Sequence, residues 1–218
     1  MSQLIFKFPF SKKYYEQDFF VSSNNFSAYK LIEEWPTWPD KWLNIFGSSG
    51  SGKTHLSKIL EKKIKKIKLI DAKNISNNNI QELNNLDCLI IDNFENNIEE
   101  KLFYSLLNQS KQLDNYLLIN SKISISREKF NLKDLQSRIN SFMYIGIELP
   151  TDDLLKVIIS KTFSDKQINI DPKISDYIIR NIERSYDKMF KFLKDVDEMS
   201  LSTGKSININ LIKKVLDQ

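Results

Sequence analysis

Cysteine, histidine and glycine are scarce in this sequence. The low numbers of cysteine and histidine each exclude a class of metal or disulfide site. The 218 residues contain one cysteine, Cys88, and one histidine, His55. A single cysteine allows no intramolecular disulfide and no cysteine zinc cluster, and in an apolar strand we expect it to be a buried, inert thiol. A single histidine likewise excludes metal sites built from several imidazoles.

Long hydrophobic runs are also missing. No apolar stretch approaches the about 20 residues of a membrane-spanning helix, and Lys7 and Pro9 interrupt the apolar stretch near the N-terminus, unlike a signal peptide. We therefore expect a cytoplasmic protein with no membrane partner. The net charge of +4 is only mildly basic. The Lys-rich stretch 58–68 fits the solvated face of a helix better than a patch for DNA.

Three of the five glycines fall within six residues, in the segment Gly47–Thr54. This segment matches the phosphate-binding loop G-x-x-x-x-G-K-[ST], in which glycines let successive backbone N–H groups converge on an anion. Lys53 is expected to reach the β- and γ-phosphates, and the Thr54 hydroxyl to ligate Mg²⁺. The predicted nucleotide-binding residues of the loop are Gly47, Ser48, Ser49, Gly50, Ser51, Gly52, Lys53 and Thr54.

Strand and helix patterns alternate around this loop and then give way to helices alone. The alternation from residue 42 to 149 predicts an α/β fold, a P-loop core whose parallel sheet is covered by helices. After Pro150 the patterns predict a small all-α domain. We therefore predict an N-terminal tail over 1–18, a nucleotide-binding core over 19–150 and a helical lid over 151–218. The Asn-rich stretch 74–85 favours either a short helix around Ile80 to Leu83 or disorder.

Polar residues end two of the predicted strands. Asp92 follows an apolar run about 40 residues after the loop, which places its carboxylate at the carboxyl edge of the sheet, where it is expected to hold Mg²⁺. Asn93 stands at a position that orients the attacking water, and because an amide cannot take a proton we expect weak intrinsic ATP hydrolysis. Asn120 and Ser121 end the next strand and are predicted to reach the nucleotide.

Several segments, in order, resemble the AAA+ module of the replication initiator DnaA. They are Gly-Lys-Thr-His-Leu at 52–56, Leu-Ile-Ile-Asp-Asn at 89–93, Leu-Phe-Tyr-Ser-Leu-Leu-Asn at 102–108, Leu-Gln-Ser-Arg at 135–138 and the C-terminal segment 207–216. The 218 residues lack a counterpart of the helix-turn-helix domain that follows this module in DnaA, so we expect no sequence-specific DNA binding. They also leave little room for the extra helical insertion of the initiator. The pattern therefore resembles the Hda-like regulators related to DnaA.

The N-terminal residues resemble the short peptide with which proteins dock on the replicative sliding clamp. In Gln3–Phe8, the side chains of Leu4, Phe6 and Phe8 are those that insert into an apolar groove, and Gln3 is the edge hydrogen-bonding residue. The alternative is an apolar N-terminal strand that packs on the core.

The resemblance implies roles for further residues. Arg138 matches an arginine finger that acts in trans on the ATP of DnaA. His55, which follows the loop, is a further predicted nucleotide-binding residue, and the expected cofactor is ADP or ATP with Mg²⁺. The family places a nucleotide-sensing arginine in the lid where this chain has Asp187, so Lys188, or Arg184 one turn earlier, is the candidate replacement. The implied partners are DnaA and the sliding clamp, and a homo-oligomer is compatible with the sequence.

The function predicted from these features is negative regulation of replication initiation. The protein would promote hydrolysis of initiator-bound ATP together with the DNA-loaded clamp. One alternative is a DnaA-like adaptor that acts at the initiator or origin without clamp-driven inactivation. Another, from a different class, is a free-standing ATPase of the helicase-loader type.

Overall fold

A computed structural model describes residues 14–204 and 206–217 of the chain. These residues divide into two compact units, one formed by 14–148 and the other by 149–217. Within the described ranges, no helix is long and apolar enough to cross a membrane.

The first unit is built around a five-stranded, fully parallel sheet with the strand order β2-β3-β4-β1-β5. The strand β4 therefore lies between β1 and β3. Its elements follow one another along the chain as α1 (Phe26–Glu33), β1 (Trp42–Phe46), α2 (Lys53–Lys63), β2 (Ile67–Asp71), α3 (Asn77–Glu82), β3 (Cys88–Phe94), α4 (Glu100–Gln112), β4 (Tyr116–Ser121), α5 (Lys133–Ile139) and β5 (Met143–Gly146).

Helices cover both faces of this sheet, because neighbouring strand residues point to opposite sides. On one face, Leu43 and Ile45 of β1 pack in the same cluster as Leu56 and Ile59 of α2, together with residues of α1. On the other face, Trp42 packs in a cluster that contains the buried residues of α4 and α5, among them Phe103, Leu106, Leu107, Leu135 and Ile139. The α2 helix and the α4–α5 pair thus lie on opposite faces of the sheet.

The predicted fold class is confirmed, and the Asn-rich stretch is helical. Ser76 and Asn79 form a capping box at the start of α3, in which Asn79 Oδ1 accepts from the Ser76 backbone N–H at 2.9 Å. Such reciprocal capping satisfies donors that a short helix otherwise leaves unpaired. The spacing of apolar residues over 24–35 predicts a helix with Phe26, Tyr29, Leu31 and Ile32 on its apolar side. Ile32 is buried together with Ala28, but the prediction is wrong for Phe26, which is 52% exposed.

The second unit contains four helices around a separate apolar core. They are α6 (Asp152–Ser164), α7 (Pro172–Asn181), α8 (Tyr186–Thr203) and α9 (Ile209–Leu216). Asp171 caps α7 by accepting from the Lys173 backbone N–H at 2.8 Å, with Pro172 at the first helical position, as the Asp-Pro pair predicts. The fully buried residues in the core of this second unit include Leu155, Ile159, Phe163, Ile178, Met189, Val196 and Ile212.

Residues 14–18 form the end of the predicted tail over 1–18, whose boundary with the core stays a prediction. Residues Tyr14 onward belong to the first unit, and the backbone carbonyl groups of Tyr14 and Tyr15 accept hydrogen bonds from Lys62 and His55 of α2. The side chains of His55 and Lys62 therefore hold the segment before α1 against α2. The apolar periodicity of α2 alone does not identify these two contacts.

Candidate nucleotide-binding site

The predicted phosphate-binding loop connects β1 to α2 at the carboxyl edge of the sheet. Gly47 begins it, and its backbone N–H donates to Ser121 O of β4 at 3.2 Å. A side chain at this position would have its Cβ 2.8 Å from the backbone oxygen of Ile147. Glycine is required here because Ile147, in the segment after β5, lies too close to the loop for any Cβ atom.

Gly50 and Gly52 give the loop its curvature. Their φ angles are +79° and +96°, in the left-handed region that residues with side chains rarely adopt. Gly52 is the residue directly before α2, so the positive end of the helix dipole faces the space that the loop surrounds. Of the serines, Ser51 is buried, whereas Ser49 is exposed and Ser48 is half-buried.

The Lys53 ammonium group lies inside this loop. It donates to the backbone oxygens of Gly47 at 2.7 Å and Ser48 at 2.9 Å, and to Ser51 Oγ at 3.3 Å. The lysine thus holds both ends of the loop together, and its positive charge is directed toward the loop interior. An ammonium group in this position is suited to bind phosphate oxygens as a point charge.

Thr54, Asp92 and Asn120 form a connected polar network beside the loop. Thr54 Oγ1 donates to Asp92 Oδ2 at 2.8 Å, and Asn120 Nδ2 donates to Asp92 Oδ1 at 2.9 Å. Asn120 Nδ2 also lies 2.7 Å from Ser57 Oγ of α2. The position of β4 between β1 and β3 accounts for this meeting, because it places the end of β4 between the loop and Asp92.

These residues fit a magnesium–nucleotide complex. Asp92 is 5% exposed and Asn120 is fully buried, and Asn120 Oδ1 has no hydrogen-bond partner in the part of the chain that the structure describes. A buried acceptor without a partner is costly unless a bound group or water satisfies it. Mg²⁺ prefers one or two protein oxygens completed by water and phosphate, which matches the Thr54–Asp92 pair. Among the described residues, no cluster of three or more His, Cys, Asp or Glu side chains forms a separate metal cage.

Two predicted site residues point elsewhere. Ser121 Oγ accepts from Asn44 Nδ2 at 2.9 Å on the face opposite to Asn120, because adjacent residues of a strand alternate.

Asn93 has a φ angle of +56°, and its Nδ2 donates to Asp71 Oδ2 at 2.8 Å at the end of β2. This bond is the main cause that lowers the pKa of Asp71. The water-orienting role of Asn93 stays a prediction, although its amide turns toward β2 and away from the loop.

His55 and the segment before α1 form an aromatic cluster at the loop. His55 Nε2 donates to the Tyr15 backbone oxygen at 2.7 Å, and its ring makes edge contacts with Phe19 and Tyr14 at centroid distances of 5.3 Å. Phe19 also stacks on Tyr29 of α1 at 5.7 Å. The Phe19 ring lies so close to Gly52 that a Cβ atom there would be 2.9 Å from Phe19 Cε2. His55 thus ties this aromatic segment to the helix that follows the loop.

Arg138 lies far from the loop in the topology of the sheet. It belongs to α5, on the face opposite to α2, and α5 leads into the start of β5, at the amino edge of the sheet. Its Nε donates to Asn108 Oδ1 of α4 at 2.9 Å. Sequence patterns did not single out Asn108, Ser57 or Asn44 as polar partners. For Ser57 the available signal was a hydroxyl within the apolar stripe of α2.

The remaining predicted residues lie in the helical unit or outside the described ranges. Arg184 Nη2 pairs with the Asp152 carboxylate at 3.1 Å, and Lys188 Nζ lies 3.9 Å from Glu183 Oε2. Both are contacts within the helical unit, so the lid role of either residue stays a prediction. Residues Gln3, Leu4, Phe6 and Phe8 of the proposed clamp peptide lie outside the described residues.

The parallel sheet, the phosphate loop and the helical unit define a P-loop protein of the AAA+ class. The family model "Hda, lid domain" matches residues 152–216. The chain is 25% identical to the chromosomal replication initiator protein DnaA of Buchnera aphidicola subsp. Cinara cedri, over 95% of this chain and 53% of that protein. It therefore spans about half the length of this relative.

Solved structures agree with this class. Domain III of Thermotoga maritima DnaA matches with a TM-score of 0.78 at 18% identity, over 96% of this chain and 98% of that one. AMPPCP-bound DnaA from Aquifex aeolicus matches with a TM-score of 0.70 at 18% identity, over 88% of this chain and 67% of that one. At such identities the structures establish the fold. Together with the sequence matches, they show that the chain is similar to DnaA and, over residues 152–216, to the Hda lid domain.

Proposed function

We propose that this protein binds an adenine nucleotide in its own loop and promotes hydrolysis of the ATP bound to the initiator DnaA. The observation that carries the proposal is the separation of Arg138 from the loop. Arg138 and Gly47–Thr54 lie on opposite faces and toward opposite edges of one sheet. A triphosphate that Arg138 reaches must therefore belong to a second molecule.

The protein's own nucleotide, ADP or ATP, has a structural role in this proposal. The loop amides, Lys53 and His55 would hold it, with Thr54 and Asp92 as the protein ligands of Mg²⁺ and Asn120 beside them. Support comes from the converging loop geometry and from the related fold of DnaA, which is known with bound AMPPCP. The bound Mg²⁺ would neutralise phosphate charge. Because Asn93 cannot accept a proton and faces Asp71, slow hydrolysis of this nucleotide is expected.

The partner's ATP is the site of the chemistry. An arginine supplied in trans stabilises the charge that develops on the transferred phosphoryl group, and such a residue raises hydrolysis by about 10³–10⁵-fold in other P-loop proteins. Arg138 suits this role because it lines an open cavity of about 280 Å³. The matching of residues 152–216 to the Hda lid supports a DnaA-related regulator.

The clamp-dependent part of the proposal rests on the sequence pattern of residues 3–8 alone. A peptide of this composition would dock by inserting its apolar side chains into a groove, which would bring the regulator to newly replicated DNA. Deletion of residues 2–8 tests this part by itself. If the deleted protein accelerates ATP decay in the presence of clamp as much as the wild-type protein does, clamp dependence is refuted and the adaptor alternative is supported.

The central experiment follows the decay of radiolabelled ATP bound to the cognate DnaA, in the presence of this protein, ADP and DNA-loaded clamp. Wild-type protein should accelerate the decay, and Arg138→Ala should abolish the acceleration. Arg180→Ala is a matched control, because Arg180 is an exposed arginine of the helical unit. Equal decay with wild-type protein and without it would refute the proposed function.

A further inference from the structure

A side-chain contact fixes the proposed finger arginine to a neighbouring helix. Asn108 Oδ1 accepts a hydrogen bond from Arg138 Nε at 2.9 Å, and the two residues are 30 positions apart in the chain. Asn108 lies on α4, a 13-residue helix whose side chains Phe103, Leu106 and Leu107 are buried in the core. Arg138 lies on the shorter α5, which Leu135 and Ile139 anchor. The acceptor is therefore carried by a well-packed element.

The contact uses one of the five donors of the guanidinium group. The four N–H donors on Nη1 and Nη2 are those that form bidentate bonds with phosphate oxygens. A bond at Nε fixes the plane of the group without occupying that fork. The arginine lines a cavity together with Tyr104, Lys111, Asp134, Ser137 and Ser141.

We propose that Asn108 is a positioning residue for Arg138. It fixes the orientation of the guanidinium plane before a partner docks. The Nη groups can then bind the partner's triphosphate without a change of the Arg138 rotamer. The inference rests on the proposed function of Arg138. Since misplacement of a reacting group by about 1 Å can cost about a hundredfold in rate, loss of the Asn108 acceptor should slow partner ATP decay by about ten- to a hundredfold.

The first test observes the hydrogen bond directly and needs no partner. The chain contains only four arginines, so the Nε–Hε signals of ¹⁵N-labelled protein can be resolved, and Arg138→Lys identifies the signal of residue 138. This proton should exchange slowly with water in the wild-type protein. It should exchange at least about tenfold faster in Asn108→Leu, which removes the acceptor at similar volume, and stay protected in Asn108→Asp. Equal exchange in wild type and Asn108→Leu would overturn the proposal.

The second test is a double-mutant cycle in the DnaA-bound ATP assay with the full chain. Asn108→Leu should reduce the acceleration about ten- to a hundredfold, whereas Asn108→Asp should keep most of it. If Asn108 acts through Arg138, adding Asn108→Leu to Arg138→Lys, which keeps a positive charge for residual acceleration but has no Nε–H donor, should cause no further loss. Additive losses would show a separate structural effect and would overturn the positioning role. ADP affinity is the folding control, because the loop lies on the opposite face of the sheet and should be unaffected.

The two possible failures are distinguishable. If Arg138→Ala leaves the decay of partner ATP unchanged, the proposed function fails, and the positioning role fails with it. If Arg138→Ala abolishes the acceleration while Asn108→Leu retains it fully, the proposed function stands and only the role of Asn108 is refuted.

Discussion

Thr54 Oγ1 donates a hydrogen bond to Asp92 Oδ2 at 2.8 Å, and this bond joins the first turn of α2 to β3. The two residues are 38 positions apart. Thr54 follows β1 and Asp92 lies on β3, and these two strands are not neighbours in the sheet. They meet because β4, with Asn120 at its end, fills the space between the loop strand and β3. The meeting of a hydroxyl and a carboxylate is what a magnesium–nucleotide complex requires.

The first prediction concerns the magnesium dependence of nucleotide binding. In Asp92→Asn the amide can keep hydrogen bonds to Thr54 and Asn120, so the fold should be retained, but the charge that attracts Mg²⁺ is lost. We expect Mg²⁺ to strengthen ATP binding to the wild-type protein and to give the variant about tenfold less of this benefit, since loss of a carboxylate that orients the ligands of a metal typically costs about 10–100-fold in metal affinity. Calorimetric titration of ATP with and without Mg²⁺ measures this difference.

A matched control is available at the opposite end of β3. Asp87 precedes β3 and is exposed, and Asp87→Asn removes the same charge at the amino edge of the sheet. Its magnesium dependence should equal that of the wild-type protein. An Asp92→Asn variant that keeps the full magnesium effect would show that Asp92 does not hold the ion.

The second prediction concerns Gly52. An alanine there faces a φ angle of +96° and a Cβ atom 2.9 Å from Phe19 Cε2, whereas Gly204→Ala at φ +64° meets no atom within 4 Å. Left-handed backbone costs residues with side chains about 1–2 kcal/mol, so Gly204→Ala should show that cost alone. Gly52→Ala should lose more stability, and Phe19→Leu in the same chain should restore part of the difference.

The two variants are read with different probes because they lie in different units. All three tryptophans, Trp35, Trp38 and Trp42, lie in the core unit. Their fluorescence during urea unfolding reports Gly52→Ala. Far-ultraviolet circular dichroism includes the helices of both units and therefore also follows Gly204→Ala. If Gly52→Ala causes the same loss of stability in the wild-type background and in the Phe19→Leu background, the contact with the Phe19 ring has no energetic effect.

The strands, the loop and most helices could be predicted because their signals are local. Five residues of apolar strand before Gly47 and an amphipathic helix after it are readable without tertiary information. The helix of the Asn-rich stretch was ambiguous because its stability depends on the Ser76–Asn79 capping box and on Leu83, which is buried in the core.

The polar partners of the site were harder to predict, because strand order and register decide them. Asn44 reaches Ser121 only because β1 and β4 pair in parallel with Phe46 opposite Ser121. Asn120 and Ser121 were both expected at the nucleotide, although strand alternation sends adjacent side chains to opposite faces. The partner of Arg138 depends on the packing of α4 against α5, for which the chain carries no short-range signal.

The third prediction concerns the acid stability of the segment that leads into α5. The Glu100 carboxylate accepts from the backbone N–H groups of Asn131 and Leu132, both at 2.9 Å. These bonds hold the pKa of Glu100 below its usual value near 4.5. Because the pKa is lowered on folding, the carboxylate stabilises the protein above about pH 4.5 and loses this contribution as the pH falls through the folded-state pKa. Glu100→Gln should therefore be less stable than wild type at pH 7, and the difference between the two proteins should shrink as the pH falls below about 4.5.

Urea unfolding followed by tryptophan fluorescence at pH 7, 5 and 3 measures this convergence. Glu99→Gln is the matched control, since Glu99 is exposed and forms no side-chain cap on α4, and its difference from wild type should be small at each pH. A Glu100→Gln deficit of equal size at pH 7 and pH 3 would show that shape, not ionisation, accounts for the contribution of Glu100. Since these bonds fix the start of the helix that carries Arg138, a confirmed deficit at pH 7 should be accompanied by slower decay of partner ATP with the Glu100→Gln protein.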